Sequence, residues 1–186
     1  LLAGKTLIII SRLLGNQGSS FPGKIARRIY PAILKELAAQ VKGKIIVVTG
    51  TNGKTTTSNM LARIITETGA ALVHNKSGAN MLPGITTAFI EKSSLIGHKQ
   101  FDYALLETDE ANVPLLLREI DPGLLLITNF FSDQLDRFGE LDSIVKMIKD
   151  ALNNQEMDLL LNADDPLTTY FCDLTSVNRF YFGFTA

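Results

Sequence analysis

Cysteine is nearly absent from this chain of 186 residues, because Cys172 is the single one. One thiol cannot form an internal disulfide, and it cannot supply a zinc site built from several cysteines. Reduced thiols are typical of the cytoplasm, so we expect a cytoplasmic protein. The two histidines, His74 and His98, lack the spacing of a metal-ligand pair, and we interpret both as structural or surface residues.

The chain also lacks an excess of charge of either sign. Its 18 basic and 19 acidic side chains give a formal charge of −1, which argues against a strongly basic nucleic-acid-binding protein. With 46% apolar and 20% charged residues, the composition is that of a globular protein rather than of a disordered one. The length predicts one domain that can bury a sizeable core.

No apolar run is long enough to cross a membrane. The most apolar segment, residues 1–14, is interrupted by Lys5 and Arg12 and falls short of the roughly 20 residues that a spanning helix needs. It also has no correctly placed cleavage site for a signal peptide. We expect a helix that packs on the body of the protein. The alternative is an interfacial helix at the inner face of a membrane.

Six short apolar runs alternate with stretches of helical character. Several of the runs show no polar alternation, as is typical of strands buried on both faces. The alternation predicts an α/β fold with a mostly parallel sheet flanked by helices. The predicted strands are residues 44–49, 71–74, 103–107, 124–128, 159–162 and 180–184, and the predicted helices are residues 55–68, 85–95, 113–120 and 141–152.

Residues 1–42 precede the first strand and are interpreted as a helical arm. A first helix over residues 1–14 is followed by the segment 15–20, which contains glycine and serine, and then by a second helix from about Pro22 to Val41. Gly43 is expected to be the hinge into the first strand. We therefore predict two parts, a helical arm over residues 1–42 and an α/β domain over residues 43–186.

The segment 47–57, VVTGTNGKTTT, predicts a phosphate-binding loop between a strand and a helix. Gly50 and Gly53 allow the backbone to approach phosphate oxygens, and the amides and dipole of the new helix favour an anion. Lys54 would supply a positive charge to the terminal phosphates, and Thr55 a hydroxyl ligand for Mg²⁺. The general pattern would need a glycine at the position of Val48, so this loop is a shorter variant.

Acidic residues follow the third predicted strand. The carboxyl ends of parallel strands form the ligand-binding edge of such sheets, and a carboxylate at Glu107 can hold Mg²⁺ there. Asp109 and Glu110 lie just beyond it, and we interpret them as a helix cap and a first-turn acid.

Other polar residues near predicted strand ends are ambiguous from the residues alone. Asn80 could contact a phosphate or form an ordinary turn. Asp133 and Asp136, which come after the strand end at Asn129, are either site residues or turn and cap residues. Asp165 precedes Pro166 and is expected to cap a helix.

These segments together resemble the Mur ligase superfamily. The resemblance rests on TGTNGKTTT, GANMLPG, the strand-end Glu107, TNFFSDQLDRFGE and LLLNADDP. It implies that residues 50–55 cradle the ATP phosphates, that Thr55 and Glu107 bind Mg²⁺, and that Asn80 lies near the terminal phosphate. The implied ATP-binding residues are Gly50, Thr51, Asn52, Gly53, Lys54, Thr55, Thr56 and Asn80, the catalytic ones are Lys54 and Glu107, and further candidates are Asn129, Asp133 and Gln134.

Two positions differ from the amino-acid-adding members of the superfamily. Gln134 stands where those members have a histidine, and Ile148 stands where they have a carbamylated lysine. At both positions the chain resembles a branch of the superfamily that forms an amide with ammonia. The arm is also too short for the UDP-binding domain of the amino-acid-adding members.

The resemblance to that branch implies an ATP-dependent amidation. ATP would phosphorylate the α-carboxyl of the D-glutamate in the lipid II stem peptide, and ammonia from a GatD-like glutaminase subunit would displace the phosphate. The branch also carries a four-cysteine zinc ribbon and a C-terminal domain, which are not among these residues. Zinc is therefore expected only elsewhere in the parent protein, and these residues alone are expected to be inactive.

Two alternatives remain open. One is an amino-acid-adding ligase of the Mur or folylpolyglutamate type. The other is a nucleotide-hydrolysing switch with a phosphate loop and no ligase activity.

Overall fold

A computed structural model describes residues 20–75, 78–94, 100–131, 138–153 and 155–184. The strands are β1 Ile45–Thr49, β2 Leu72–His74, β3 Tyr103–Glu107, β4 Leu124–Ile127, β5 Met157–Asn162 and β6 Val177–Phe182. They form one sheet in the order β2-β3-β1-β4-β5-β6, and every neighbouring pair is parallel. The predicted α/β fold with a mostly parallel sheet is confirmed.

Helices connect the strands, because a parallel pair needs a crossover rather than a tight turn. The α-helices are α1 Phe21–Ile29, α2 Ile33–Ala38, α3 Lys54–Glu67, α4 Leu82–Lys92, α5 Val113–Leu117 and α6 Phe138–Leu152. Within the described residues, short 3₁₀ helices span Glu110–Asn112 and Pro166–Phe171. None of the helices in the described ranges combines the length and the apolarity that a bilayer crossing requires.

The core lies on both faces of the sheet. Val47 and Leu106 are fully buried in the larger cluster, which includes residues of α1, α2, α4, α5 and α6. Val48 and Leu105, their neighbours along the strands, are fully buried in a smaller cluster with Leu61 of α3. Successive strand residues point to opposite faces. This two-sided burial explains why the central strands are continuously apolar in the sequence.

The second helix predicted for the arm, from Pro22 to Val41, is wrong in its continuity. The segment forms α1 and α2, with a break at Pro31. Proline has no amide hydrogen and disfavours a helical conformation in the residue before it. Tyr30 is accordingly extended, with φ −139° and ψ 92°.

Residues 21–38 of the arm pack into the same core as the sheet. Ala26, Leu34 and Leu37 are buried in the larger cluster, and the amide of Gly43 is hydrogen-bonded to the carbonyl of Asp102 at 3.0 Å. The predicted first helix, residues 1–14, lies outside the described residues. The division at residues 42 and 43 stays a prediction.

The last strand begins earlier than predicted, at Val177 instead of residue 180. β6 pairs only with β5 in the described sheet, and all its residues after Val177 are exposed. An edge strand of this kind tolerates polar residues. Asn178 and Arg179 interrupt its first half, so this half does not form an apolar run in the sequence. The helix predicted from residue 85 likewise begins earlier, at Leu82, and it has Pro83 in its first turn, where the missing amide costs nothing.

Candidate functional site

The loop between β1 and α3 has a backbone that two glycines make possible. Gly50 and Gly53 have positive φ angles of 123° and 82°. A Cβ atom on Gly50 would also lie 2.3 Å from Thr128 Oγ1. Gly50 is therefore required by both its conformation and its close contact with the residue after β4. The amides at the start of α3 are presented beside this loop, as a phosphate-binding loop requires.

Residues after β4 fasten the loop to the neighbouring strand. Thr128 Oγ1 donates a hydrogen bond to Asn52 O at 2.7 Å. The amide N of Asn52 donates to Asn129 Oδ1 at 3.1 Å, and Asn129 Nδ2 donates to Asn52 O at 3.2 Å. The structure thus brings Asn129, one of the further candidates, into direct contact with the loop. Its side chain forms both hydrogen bonds to the backbone of Asn52.

Lys54, the first residue of α3, folds its side chain back over the loop. Its Nζ donates to the carbonyl oxygens of Gly50 and of Thr51, the latter at 3.2 Å. It also forms an ion pair with Glu110 Oε2 at 3.2 Å, and the two side chains are only 14% and 13% exposed. The interpretation of Glu110 as a first-turn acid holds for its place in the 3₁₀ helix but misses this pair with Lys54.

Thr55 and Glu107 meet between α3 and the end of β3. Thr55 Oγ1 donates a hydrogen bond to Glu107 Oε1 at 3.0 Å, and Glu107 is only 3% exposed. Among the described residues, no basic side chain forms an ion pair with this carboxylate. A buried carboxylate that has a hydroxyl but no countercharge beside it fits a bound cation, and oxygen ligands suit Mg²⁺.

Asn75 sets the position of Glu107. The amide N of Glu107 donates to Asn75 Oδ1 at 2.8 Å, and Asn75 Nδ2 donates to the carbonyl oxygen of Glu107 at 2.8 Å. Asn75 is fully buried and also bonds the carbonyl of Ala79 at 2.9 Å. Sequence reasoning missed this residue, although a polar side chain directly after the apolar run of β2 was the available signal.

The loop after β2 approaches the same edge of the sheet. The carbonyl of Asn80 accepts a hydrogen bond from the amide of Asp109 at 3.1 Å, so Asn80 lies next to the segment that follows Glu107. Asp109 caps the 3₁₀ helix through the amide of Ala111 at 3.1 Å. Asp165 caps the later 3₁₀ helix through the amide of Leu167 at 2.9 Å. Both cap predictions are confirmed.

The remaining candidates have different surroundings. Thr56 is exposed on the first turn of α3. Ile148 is fully buried in the larger hydrophobic cluster. His74 is a structural residue as expected, with Nδ1 3.0 Å from Leu105 O. Asp133, Gln134, Asp136 and His98 lie outside the described residues.

A cleft of about 690 Å³ lies beside Asn52 and Asn129. Its apolar lining includes Phe131 and Leu167, and its polar lining includes Asn52, Asn162 and the carboxylates of Asp164 and Asp165. Apolar walls with a few amide groups are typical of small-molecule sites. The sequence did not predict this cleft, since its residues come from four separate segments.

The sequence of this chain is similar to known proteins that share a family. Residues 48–185 match the family described as Mur ligase middle domain. The chain is 42% identical over 176 residues to the lipid II isoglutaminyl synthase (glutamine-hydrolyzing) subunit MurT of Staphylococcus aureus, which covers 95% of this chain and 39% of that protein. It is 43% identical to the same subunit of Streptococcus pneumoniae over 99% of this chain and 40% of that protein.

A solved structure agrees with the fold. MurF from Acinetobacter baumannii superposes with a TM-score of 0.65 at 23% identity, over 82% of this chain and 33% of that one. At this identity the likeness shows the fold alone. The chain spans about two fifths of the length of these two curated relatives.

Proposed function

The chain belongs to the Mur ligase family, and on that premise we propose that it is the nucleotide-binding part of an ATP-dependent ligase that forms carbon–nitrogen bonds. The observation that carries the proposal is that Thr55 bonds the buried Glu107 next to Lys54, whose ammonium lies over the glycine loop. A cation, a hydroxyl and a buried carboxylate there match the needs of a magnesium–triphosphate complex.

Each of these side chains has a distinct task in the proposed reaction. Lys54 binds the terminal phosphates as a point charge, and the amides at the start of α3 orient the same oxygens. Thr55 and Glu107 hold Mg²⁺, which when bound neutralises charge on the transferring phosphoryl group. Asn75 fixes the backbone of Glu107, so the carboxylate is oriented before the metal arrives.

The cleft beside Asn129 is the proposed site for the nucleoside. It adjoins Asn52, a loop residue, so a nucleotide with its phosphates on the loop can reach it. The exposed ring of Phe131 offers a flat apolar surface for a base, and the asparagine amides offer donors and acceptors.

The finer proposal concerns the acceptor. The two relatives above are named as subunits of a lipid II isoglutaminyl synthase that hydrolyses glutamine, and we infer the same reaction for the protein that carries this chain. The γ-phosphoryl group of ATP passes to the α-carboxylate of the D-glutamate in lipid II. Ammonia then attacks the carbonyl carbon of this acyl phosphate, inorganic phosphate leaves, and the nitrogen loses a proton to give the amide.

The proposal implies a partner and a place of action. Ammonia comes from the hydrolysis of glutamine by a GatD-like glutaminase subunit, and the acceptor is lipid-linked. The protein would therefore work in the cytoplasm on a substrate at the inner face of the membrane.

A reconstitution tests the proposal. The full-length protein is mixed with a glutaminase partner, ATP, Mg²⁺, glutamine and lipid II, and both phosphate release and the mass of the lipid product are measured. We expect glutamine-dependent phosphate release and the mass change of an acid converted to an amide, with neither in Lys54→Ala. A product that has gained an amino acid would instead indicate an amino-acid-adding ligase. Phosphate release with unchanged lipid II would indicate a nucleotide-hydrolysing switch.

A further inference from the structure

The ion pair between Lys54 and Glu110 completes the hydrogen bonds of the lysine ammonium. A lysine ammonium has three hydrogens to donate. Those of Lys54 are directed to Gly50 O, Thr51 O and Glu110 Oε2. All three donor hydrogens of this cation are therefore directed to acceptors of the protein itself.

Glu110 is held where it can make this bond. It is the first residue of the 3₁₀ helix Glu110–Asn112, which Asp109 caps through the amide of Ala111 at 3.1 Å. The amide of Asp109 is in turn bonded to the carbonyl of Asn80 at 3.1 Å. The backbone just before Glu110 is thus fixed both by its own cap and by the loop after β2.

A phosphate that binds to Lys54 has to compete with these acceptors. Because Glu110 is itself an anion and only 13% exposed, it opposes the approach of a phosphate more strongly than a neutral acceptor would. It also keeps the Lys54 side chain folded over the loop, in the region that the phosphates would enter.

We propose that Glu110 is a positioning residue, which holds the Lys54 ammonium in the loop of the free protein and releases it to the phosphates of the nucleotide. The inference rests on the proposed function, since it assumes that Lys54 binds phosphate. Its signature is a lower affinity for nucleotides whose phosphates reach Lys54, with no effect on the nucleoside alone.

The test compares Glu110→Gln with Asp109→Asn in the full-length protein. Glutamine keeps the size of the side chain and removes its charge, and asparagine at position 109 removes a neighbouring charge but keeps an oxygen for the cap. We expect Glu110→Gln to bind Mg·ATP roughly three- to tenfold more tightly than the wild type, because a weakly exposed ion pair is lost. Binding of adenosine should be the same in both variants and in the wild type.

The gain should also depend on Lys54. In a double-mutant cycle with Lys54→Ala, the tighter binding caused by Glu110→Gln should disappear. In the absence of nucleotide, acylation of Lys54 measured by mass spectrometry should be several-fold faster in Glu110→Gln than in the wild type, while Glu110→Asp stays closer to the wild type. This second measurement needs no nucleotide and reports directly on the ion pair.

The outcomes separate the two proposals. Mg·ATP binding that depends on Lys54 but is unchanged in Glu110→Gln overturns this inference and leaves the proposed function standing. An equal gain in Asp109→Asn also overturns it, because any nearby negative charge would then be sufficient. If no variant binds Mg·ATP, both proposals are overturned.

Discussion

The Thr55 hydroxyl donates a hydrogen bond to Glu107 Oε1 at 3.0 Å, although the two residues are 52 positions apart. They meet because β1 and β3 are neighbours in the sheet, with Val48 opposite Glu107 in the parallel register. Both strands present their carboxyl ends at the same edge, which brings the first turn of α3 and the strand-end acid together.

Substitution of Thr55 tests the proposed metal site. Thr55→Val keeps the shape of the side chain but loses the hydroxyl, so the Mg²⁺ concentration needed for half-maximal ATP turnover should rise about tenfold or more, in line with the usual cost of a lost metal ligand or its support. Thr55→Ser retains the hydroxyl and should stay near the wild type. The measurement is a Mg²⁺ titration of turnover at saturating ATP, and equal Mg²⁺ requirements in both variants would contradict the assignment.

Removal of Lys54 should abolish turnover without unfolding the protein. The loss of a fixed charge at a transferring phosphoryl group typically raises the barrier by about 3–4 kcal/mol, so ATP turnover by Lys54→Ala should fall by roughly 10²–10³-fold. Lys35, which is exposed on α2, provides the matched control, and Lys35→Ala should retain full activity. Near-wild-type turnover in Lys54→Ala would contradict the assignment of Lys54 as a phosphate-binding residue.

Gly23 lies where α1 crosses α4 at very close range. A Cβ atom there would be 1.9 Å from Pro83 O, and the amide of Gly23 also donates to Thr87 Oγ1 at 2.9 Å. Gly23→Ala should therefore lower the free energy of unfolding by about 1–3 kcal/mol, as overpacking does. Denaturant unfolding monitored by circular dichroism measures this.

The control for that substitution is Gly123→Ala. The nearest contact of its added Cβ would be the flexible side chain of Lys44, with Cγ at 3.1 Å, so the change should stay within about 0.5 kcal/mol. Equal stability of the two alanine variants would contradict a close α1–α4 contact at Gly23.

The ion pair of Lys44 with Asp158 should make stability depend on pH. The hydrogen bond from Lys44 Nζ, at 2.5 Å, lowers the pKa of Asp158 below its ordinary value. A carboxylate with a lowered pKa stabilises the folded state above the pKa of the unfolded chain and loses that contribution as the pH falls through the folded pKa.

The measurement is the melting temperature of the wild type and of Asp158→Asn across the pH range. Wild type should melt higher at pH 7, and the difference should shrink below about pH 4. Lys44→Ala should show the same trend, and the double variant should add little to either. A difference that persists unchanged to low pH would refute the role of this pair.

Much of the fold could be predicted from the chain because the signals are local. The runs 44–49, 103–107 and 124–128 match β1, β3 and β4 to within one residue, since strands buried on both faces must be apolar throughout. The first three residues of β6 are not predicted from the sequence, because an edge strand has one neighbour and carries exposed polar residues. The continuous arm helix is wrong because Pro31 disfavours a helical conformation at Tyr30, although the apolar spacing on either side is helical.

The sequence by itself determined the conformation of the glycine loop between β1 and α3, since Gly50 and Gly53 act through backbone angles within a few residues of each other. It also determined that Glu107 ends a strand. Only the tertiary structure decided that β3 lies beside β1, and hence that Glu107 meets Thr55, that Glu110 pairs with Lys54 and that Asn129 holds the loop. These contacts depend on strand order, which is set by how helices and strands pack across the whole sheet and which no local pattern encodes.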